Sequence, residues 1–177
     1  WINLITNGLP ALALGVDPAD PDQMLQPPRA PGKRLMARRE WLSLAGVGAV
    51  MAATALWAFW WGSGGKGATG DALERGRSLC FAILAIGPMF HALNCRSQTR
   101  SIFELGLFSN RAIWGAFAIG VTLQAMALYV PALEPVFHTN PLSGSDLLVV
   151  LAMSAVPLAL GEAIKAVLRA RGATASA

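Results

Sequence analysis

WLSLAGVGAVMAATALWAFWW, residues 41–61, is an apolar run without a single charged side chain. A helix of about 20 residues is long enough to cross a hydrocarbon core of roughly 30 Å. Trp41 stands at one end of the run, and Trp57, Trp60 and Trp61 stand at the other. Tryptophan rings are enriched at both membrane–water interfaces, where they form aromatic belts. The stretch therefore predicts a transmembrane helix.

The same apolar character extends along the chain of 177 residues, of which 54% are hydrophobic and only 14% are charged. A soluble domain carries about 25% charged residues, so lipid is the expected solvent. We predict an all-α fold, a polytopic membrane helix bundle of about five transmembrane helices and no sheet. The helices are expected at residues 1–16, 41–61, 78–94, 112–130 and 146–168, joined by loops at 17–40, 62–77, 95–111 and 131–145 and followed by a tail at 169–177.

The basic residues indicate how such a bundle is oriented. Successive helices alternate in direction, so the 17–40 loop, the 95–111 loop and the tail share one side. Together with Lys165, that side carries eleven of the 14 Lys and Arg residues. The positive-inside rule predicts that this side, which includes the C-terminus, is cytoplasmic. The membrane expected for the chain is a bacterial inner or plasma membrane. The net charge of +4 does not predict nucleic-acid binding, because the basic residues flank apolar runs instead of forming a stripe with aromatic residues.

The opening segment, WINLITNGLPALALGV, combines polar residues with a proline. Asn3, Thr6 and Asn7 are spaced i, i+3, i+4 and share one helix face. Pro10 has no backbone donor, so it should kink or break the helix. A broken helix with polar groups beside the break is one way in which transporters build an ion site. A plain proline kink, with the polar side chains bonded to neighbouring helices, explains the same residues equally well.

Two other patterns predict packing. Cys80 and Cys95 have no CxxC spacing and no ligand set nearby, so a packing role is favoured over a metal site or a disulfide. Small residues in the 41–61 helix predict a face for close helix contact. This face comprises Gly46, Gly48, Ala49, Ala52 and Ala53.

The stretch WINLITNGLPALALGVDPADPDQMLQPPR, residues 1–29, resembles the sixth transmembrane helix and following cytoplasmic loop of calcium-transporting P-type ATPases. That family carries the pattern W-x-N-L-x-T-D-G-L-P-A-x-A-L-G-x-x-P-x-D-x-x-x-x-P-P-R here. The stretches SIFELGLFSNR and LYVPALEPVFHTNPLSGSDLLVVLAMS are similar to the family's last helices, especially in its secretory-pathway and bacterial single-site branch. The five predicted helices would then be the sixth to the tenth.

The resemblance implies that Asn3, Thr6 and Asn7 are metal ligands for a transported cation. Oxygen donors suit a hard cation such as Ca²⁺, with Mn²⁺ as a second candidate. Asn7 stands where the family has an aspartate, so one negative charge is lost. Divalent binding should weaken unless carboxylates on the fourth and fifth helices compensate. The replacement of the aspartate by Asn7 has three readings: an altered ion preference, an altered stoichiometry or an impaired pump.

Four further residues in the predicted helices bear on a role in transport. Pro88 stands where two-site members of the family carry a carboxylate ligand, which argues for at most one ion site. We interpret Gln124 as an interhelical hydrogen bond and Glu162 as a local ion pair with Lys165. His91 is interpreted as structural, because no second His or Cys ligand stands near it in sequence.

P-type ATPases transfer the γ-phosphoryl group of ATP to an aspartate in a DKTGT motif. The chain contains neither that motif nor a Walker A pattern, so we assign it no catalytic and no cofactor-binding residue. ATP and Mg²⁺ would act only through an N-terminal portion of the same pump, with its first five helices and cytoplasmic domains. The first residue, Trp1, is consistent with such a portion upstream. The lipid bilayer is the other expected partner. The alternative is a non-enzymatic membrane scaffold or regulator, derived from such a pump and carrying a degenerate ion site.

Overall fold

The computed structural model describes residues 1–18, 38–97 and 100–175, with only the backbone course given for 4–6, 39–40 and 171–175. Within those residues the chain is helical and forms no strand. A π-helical turn at Ile2–Asn7 runs directly into the first α-helix. The α-helices are α1 (Gly8–Gly15), α2 (Arg38–Ser63), α3 (Asp71–Cys95), α4 (Ile102–Leu105), α5 (Arg111–Tyr129), α6 (Glu134–Phe137) and α7 (Gly144–Ala175).

Four of these helices are long and apolar enough to cross a membrane, at Trp41–Ser63, Asp71–Cys95, Arg111–Tyr129 and Gly144–Ala170. They confirm the prediction of an all-α polytopic membrane bundle. The opening segment is helical too, but the six residues of the π-helical turn and the eight of α1 are short for a span.

Several helix ends differ from the predicted ones. α3 begins at Asp71 rather than at residue 78, because Asp71 and Glu74 fit the positive end of a helix although they are not apolar. α7 continues to Ala175, through the predicted tail. The short helices α4 and α6 lie inside the predicted 95–111 and 131–145 loops. Most of the predicted 17–40 loop lies outside the described residues.

α3 is the central helix and packs against both α2 and α7, which also contact each other. Two apolar clusters follow its length. The first joins α3 to α2 and α7, and the second joins it to α1 and α5. The first contains Ala55, Ala58, Leu79, Ala82, Ile83, Leu128, Leu142 and Val150, and the second contains Ala13, Met89, Leu93, Ile102, Ile113, Ala116 and Phe117.

Glycines set the close crossing of α2 and α3. A Cβ at Gly76 would lie 2.7 Å from the Phe59 carbonyl oxygen and 2.9 Å from Ser63 Cβ. The predicted small-residue face of α2 takes no part in this crossing, because a Cβ at Gly46 or Gly48 would meet nothing within 4 Å. The sequence shows small residues along most of α2, but the contact with α3 lies at Phe59, Gly62 and Ser63. These residues lie beyond the predicted face, towards the end of α2.

An ion pair closes the same end of the bundle. Arg75 Nη2 donates to Asp146 Oδ1 at 2.6 Å, and Arg75 Nε donates to both carboxylate oxygens at 3.1 and 3.2 Å. The guanidinium also lies 5.0 Å from the centre of the Trp61 ring. Ser143 donates its backbone N–H and its hydroxyl to Asp146 Oδ2. This arrangement, which defines the Arg75 end of the bundle, ties α3 to α2 and α7.

We expect Gly76→Ala to lower the free energy of unfolding by about 1–3 kcal/mol, because the added methyl group meets the α2 backbone. Reversible unfolding in mixed micelles would measure the change. Gly87→Ala is the matched control on the same helix, since a Cβ there would meet nothing within 4 Å. Equal stability of the two variants would contradict this account of the crossing.

Candidate cation site

The opening segment holds its polar residues in an unusual helical geometry. Residues Ile2–Asn7 form a π-helical turn, and the α-helical pattern begins at Gly8. π-Helical turns are rare and occur frequently at functional sites. Pro10, which is buried, cannot donate a hydrogen bond to the carbonyl of residue 6. The interruption predicted from Pro10 therefore takes the form of a wider turn instead of a break in the helix.

Asn3 and Asn7 lie on the same face of this segment, as their spacing predicts. Asn7 Nδ2 donates a hydrogen bond to Asn3 Oδ1 at 3.3 Å. Asn3 is exposed and Asn7 is half-buried. The Asn7 side-chain oxygen is itself buried and accepts no hydrogen bond from the described residues. The side chain of Thr6, the third predicted ligand, lies outside the described part of the chain.

The two amides line an open cleft of about 560 Å³ between the opening segment and α3. Pro88 of α3 lines the same cleft, facing the helix of Asn3 and Asn7. No side-chain ligand therefore comes from position 88, as the sequence predicts. The lining consists of Trp1, Ile2, Asn3, Asn7, Phe81, Leu84 and Pro88, and it contains no carboxylate.

An aromatic group borders the cleft towards the Arg75 end, which the sequence did not predict. The Trp1 and Phe137 rings are 5.0 Å apart, and the Phe137 and Phe81 rings are 5.7 Å apart. These three rings come from the residue before the π-helical turn, from α6 and from α3. The three residues are far apart in the chain, so no spacing in the sequence could have revealed the group.

Gln124 of α5 makes the predicted interhelical hydrogen bond. It is only 1% exposed, and its Oε1 accepts from Trp1 Nε1 at 3.3 Å. Gln124 Nε2 is buried and has no partner among the described residues. The bond attaches the first residue of the opening segment to α5.

Glu162 is paired with Lys165 at 3.1 Å, which confirms the local ion pair. Its carboxylate also accepts from Ser101 Oγ at 2.5 Å. His91 Nδ1 is buried without a partner in the described part, and Cys80 and Cys95 are free thiols there. Among residues 1–18, 38–97 and 100–175, no three His, Cys, Asp or Glu side chains are grouped so that they could hold a metal ion.

The arrangement therefore offers neutral amide oxygens and no negative charge of its own. Amide and carbonyl oxygens are ligands of hard cations, but a divalent ion at membrane depth also needs compensating charge. Any such charge has to come from outside the lining of this cleft.

Comparison with known proteins gives consistent matches along the chain. The profile of the family described as "Cation transporting ATPase, C-terminus" matches residues 1–167. Calcium-transporting ATPase 1 of Bacillus cereus is 36% identical over 180 residues, covering 93% of this chain and 20% of the relative. Mouse calcium-transporting ATPase type 2C member 2 is 34% identical over 165 residues, covering 93% and 17% respectively. Human calcium-transporting ATPase type 2C member 1 is 34% identical over 171 residues, covering 97% and 18%. The chain thus spans about a fifth of the length of these curated relatives.

We expect a cysteine at position 3 to react with a water-soluble methanethiosulfonate reagent, because Asn3 is exposed in the cleft. The experiment starts from a chain with Cys80 and Cys95 replaced by serine. Gly48→Cys serves as the control, since Gly48 is exposed on a membrane-spanning helix away from the cleft. Labelling at position 48 that is as fast as labelling at position 3 would show that the cleft is not a distinct polar environment.

Proposed function

The chain belongs to the family of cation-transporting ATPase C-terminal regions, and from this premise we propose that it supplies part of the ion-binding site and pathway of an ATP-driven cation pump. Ca²⁺ is the proposed transported ion, in keeping with the names of the bacterial and mammalian relatives. Mn²⁺, another divalent cation that oxygen ligands accept, is the second candidate.

The observation that carries the proposal is the oxygen of Asn7. It is buried at a helix within the membrane bundle, and it has no donor among the described residues. A buried polar group without a partner costs roughly 1–3 kcal/mol. A cation that enters the cleft would satisfy this oxygen and could also coordinate Asn3 Oδ1, which Asn7 Nδ2 holds close by.

The missing negative charge defines what the rest of the pump has to provide. Asn3, Thr6 and Asn7 are neutral, and the cleft lining holds no carboxylate. We propose that carboxylates on the preceding helices of the same protein complete the site and neutralise the ion. ATP and Mg²⁺ would bind to the cytoplasmic domains of that N-terminal portion, which is the proposed partner of this chain alongside the lipid bilayer.

The proposed orientation follows from the two ends of the bundle. Asp17, Arg96 and Asn110 meet at the end opposite to Arg75 and Asp146. This Asp17 end is where the sequence concentrates Lys and Arg, so we assign it to the cytoplasm. The proposed location is a bacterial inner or plasma membrane, with the C-terminus inside.

We expect Asn7→Asp to lower the Ca²⁺ concentration that gives half-maximal ATPase activity in the native protein that carries this chain. The carboxylate adds a charged ligand, and a roughly tenfold change corresponds to about 1.4 kcal/mol. Activity would be measured in proteoliposomes across Ca²⁺, Mn²⁺ and Mg²⁺. Asn7→Leu should raise the half-maximal concentration.

Asn140→Asp is the control for added charge, because Asn140 lies in the segment between α6 and α7 at the Arg75 end. This variant should leave ion activation unchanged. Unchanged or weaker activation by Asn7→Asp would show that Asn7 does not face the ion. An unmodified protein with no cation-stimulated ATPase activity would instead support the scaffold alternative.

A further inference from the structure

A buried arginine holds the end of the opening segment. The Arg96 side chain is only 3% exposed, and its Nε lies 3.1 Å from both carboxylate oxygens of Asp17. The same guanidinium donates to the Gly106 carbonyl at 3.2 Å and to Ser109 Oγ at 2.6 Å. Arg96 follows α3 directly, whereas Asp17 follows α1, so the pair joins the ends of these two helices.

Asn110 completes this clamp, which we define as Asp17, Arg96 and Asn110. Its Nδ2 donates to the Ala13 carbonyl at 2.9 Å and to Asp17 Oδ1 at 2.8 Å. Its Oδ1 accepts from the Ile113 backbone N–H and caps α5. The last carbonyls of a helix have no partner within the helix, and Asn110 supplies one for α1.

α1 is a short helix that relies on tertiary contacts, and the clamp is one of them. The helix has eight residues, of which only Pro10 and Ala13 are buried. A short helix gains most of its stability from tertiary contacts. Ala13 packs in the second apolar cluster with Leu9 and Leu14 beside it, and these contacts hold α1 against α3 and α5. Apolar contacts are non-directional, so the charged and amide bonds at Asp17 and Ala13 add a fixed position along the helix axis.

The clamp is in turn fastened to the last helix. Glu162 of α7 accepts from Ser101 Oγ and from the Ile102 backbone N–H, both in the segment between Arg96 and Asn110. The segment therefore connects α1 to a helix that takes no part in the cleft.

We propose that Arg96 is a positioning residue for the cation site. Through Asp17 it fixes the axial position of α1, and α1 continues without interruption into the turn that carries Asn3 and Asn7. Arg96 touches no ion and acts only through the helix it holds. The effect on the cation rests on the function proposed above, whereas the effect on α1 does not.

The test compares Arg96→Gln with Arg169→Gln in the native protein that carries this chain. Both substitutions remove an arginine that is ion-paired to a carboxylate. Arg96 is buried and holds α1, whereas Arg169 of α7 is 38% exposed and pairs with the exposed Glu104, a contact that contributes little to stability. Hydrogen exchange of residues 8–15 is measured first, without cation. Half-maximal Ca²⁺ concentration and maximal ATPase rate are then measured separately.

Arg96→Gln is expected to speed exchange across residues 8–15 by about tenfold, because a bond between helices is lost while the rest of the bundle keeps its contacts. It should raise the half-maximal Ca²⁺ concentration and leave most of the maximal rate. Arg169→Gln should change neither measurement. The charge-swapped protein Asp17→Arg with Arg96→Asp should recover part of the slow exchange.

The outcomes separate the two proposals. Exchange of residues 8–15 that is the same in Arg96→Gln and the unmodified protein would overturn the positioning role. Faster exchange at equal Ca²⁺ dependence would also overturn it, since α1 would then move without consequence for the site. An unmodified protein that Ca²⁺ does not activate would refute the proposed transport, and the exchange measurement would still decide whether Arg96 holds α1.

Discussion

A polar group inside a hydrocarbon layer has no water to bond, so each one needs a partner within the protein. Helices meet this demand for the backbone, and the described spans are helical from one end to the other. The same demand applies to side chains. Most buried polar side chains in this bundle are bonded to another helix, such as Asn94 to the carbonyls of α7 and Thr139 to a carbonyl of α5. Five buried side-chain atoms in the described residues have no partner, and among them the oxygen of Asn7 is the one that belongs to a residue lining the cleft.

Among the described residues, each end of the bundle holds an arginine–aspartate pair. Arg75 and Asp146 join α3 to α7 at one end, whereas Arg96 and Asp17 join α3 to α1 at the other. Arg75 lies near the start of α3 and Arg96 directly follows its end, so the central helix is ion-paired at both of its ends. Between them, the cleft is lined by neutral side chains. Ion pairs therefore connect the helices at both ends of the bundle, and the cleft between those ends offers only uncharged groups.

The apolar runs predicted the architecture well, because a membrane span needs about 20 apolar residues whatever its neighbours are. The shared face of Asn3 and Asn7 was also predictable, since it depends only on helical spacing. Helix ends were less predictable, because Asp71 and Glu74 extend α3 beyond its apolar part. The crossing at Gly76 and the clamp at Arg96 depend on which helices meet. Residues 79 positions apart in sequence, such as Asp17 and Arg96, leave no local signal of their contact.

The π-helical turn has a mechanical consequence. It holds a surplus residue relative to an α-helix, and each residue of an α-helix advances the side chains by about 100° around the axis. Moving that surplus along the chain would swing Asn3 around the axis while Asp17 stays attached to Arg96. Such a shift would rotate the side-chain oxygen of Asn3 towards or away from the cleft, and no helix would need to slide past its neighbour.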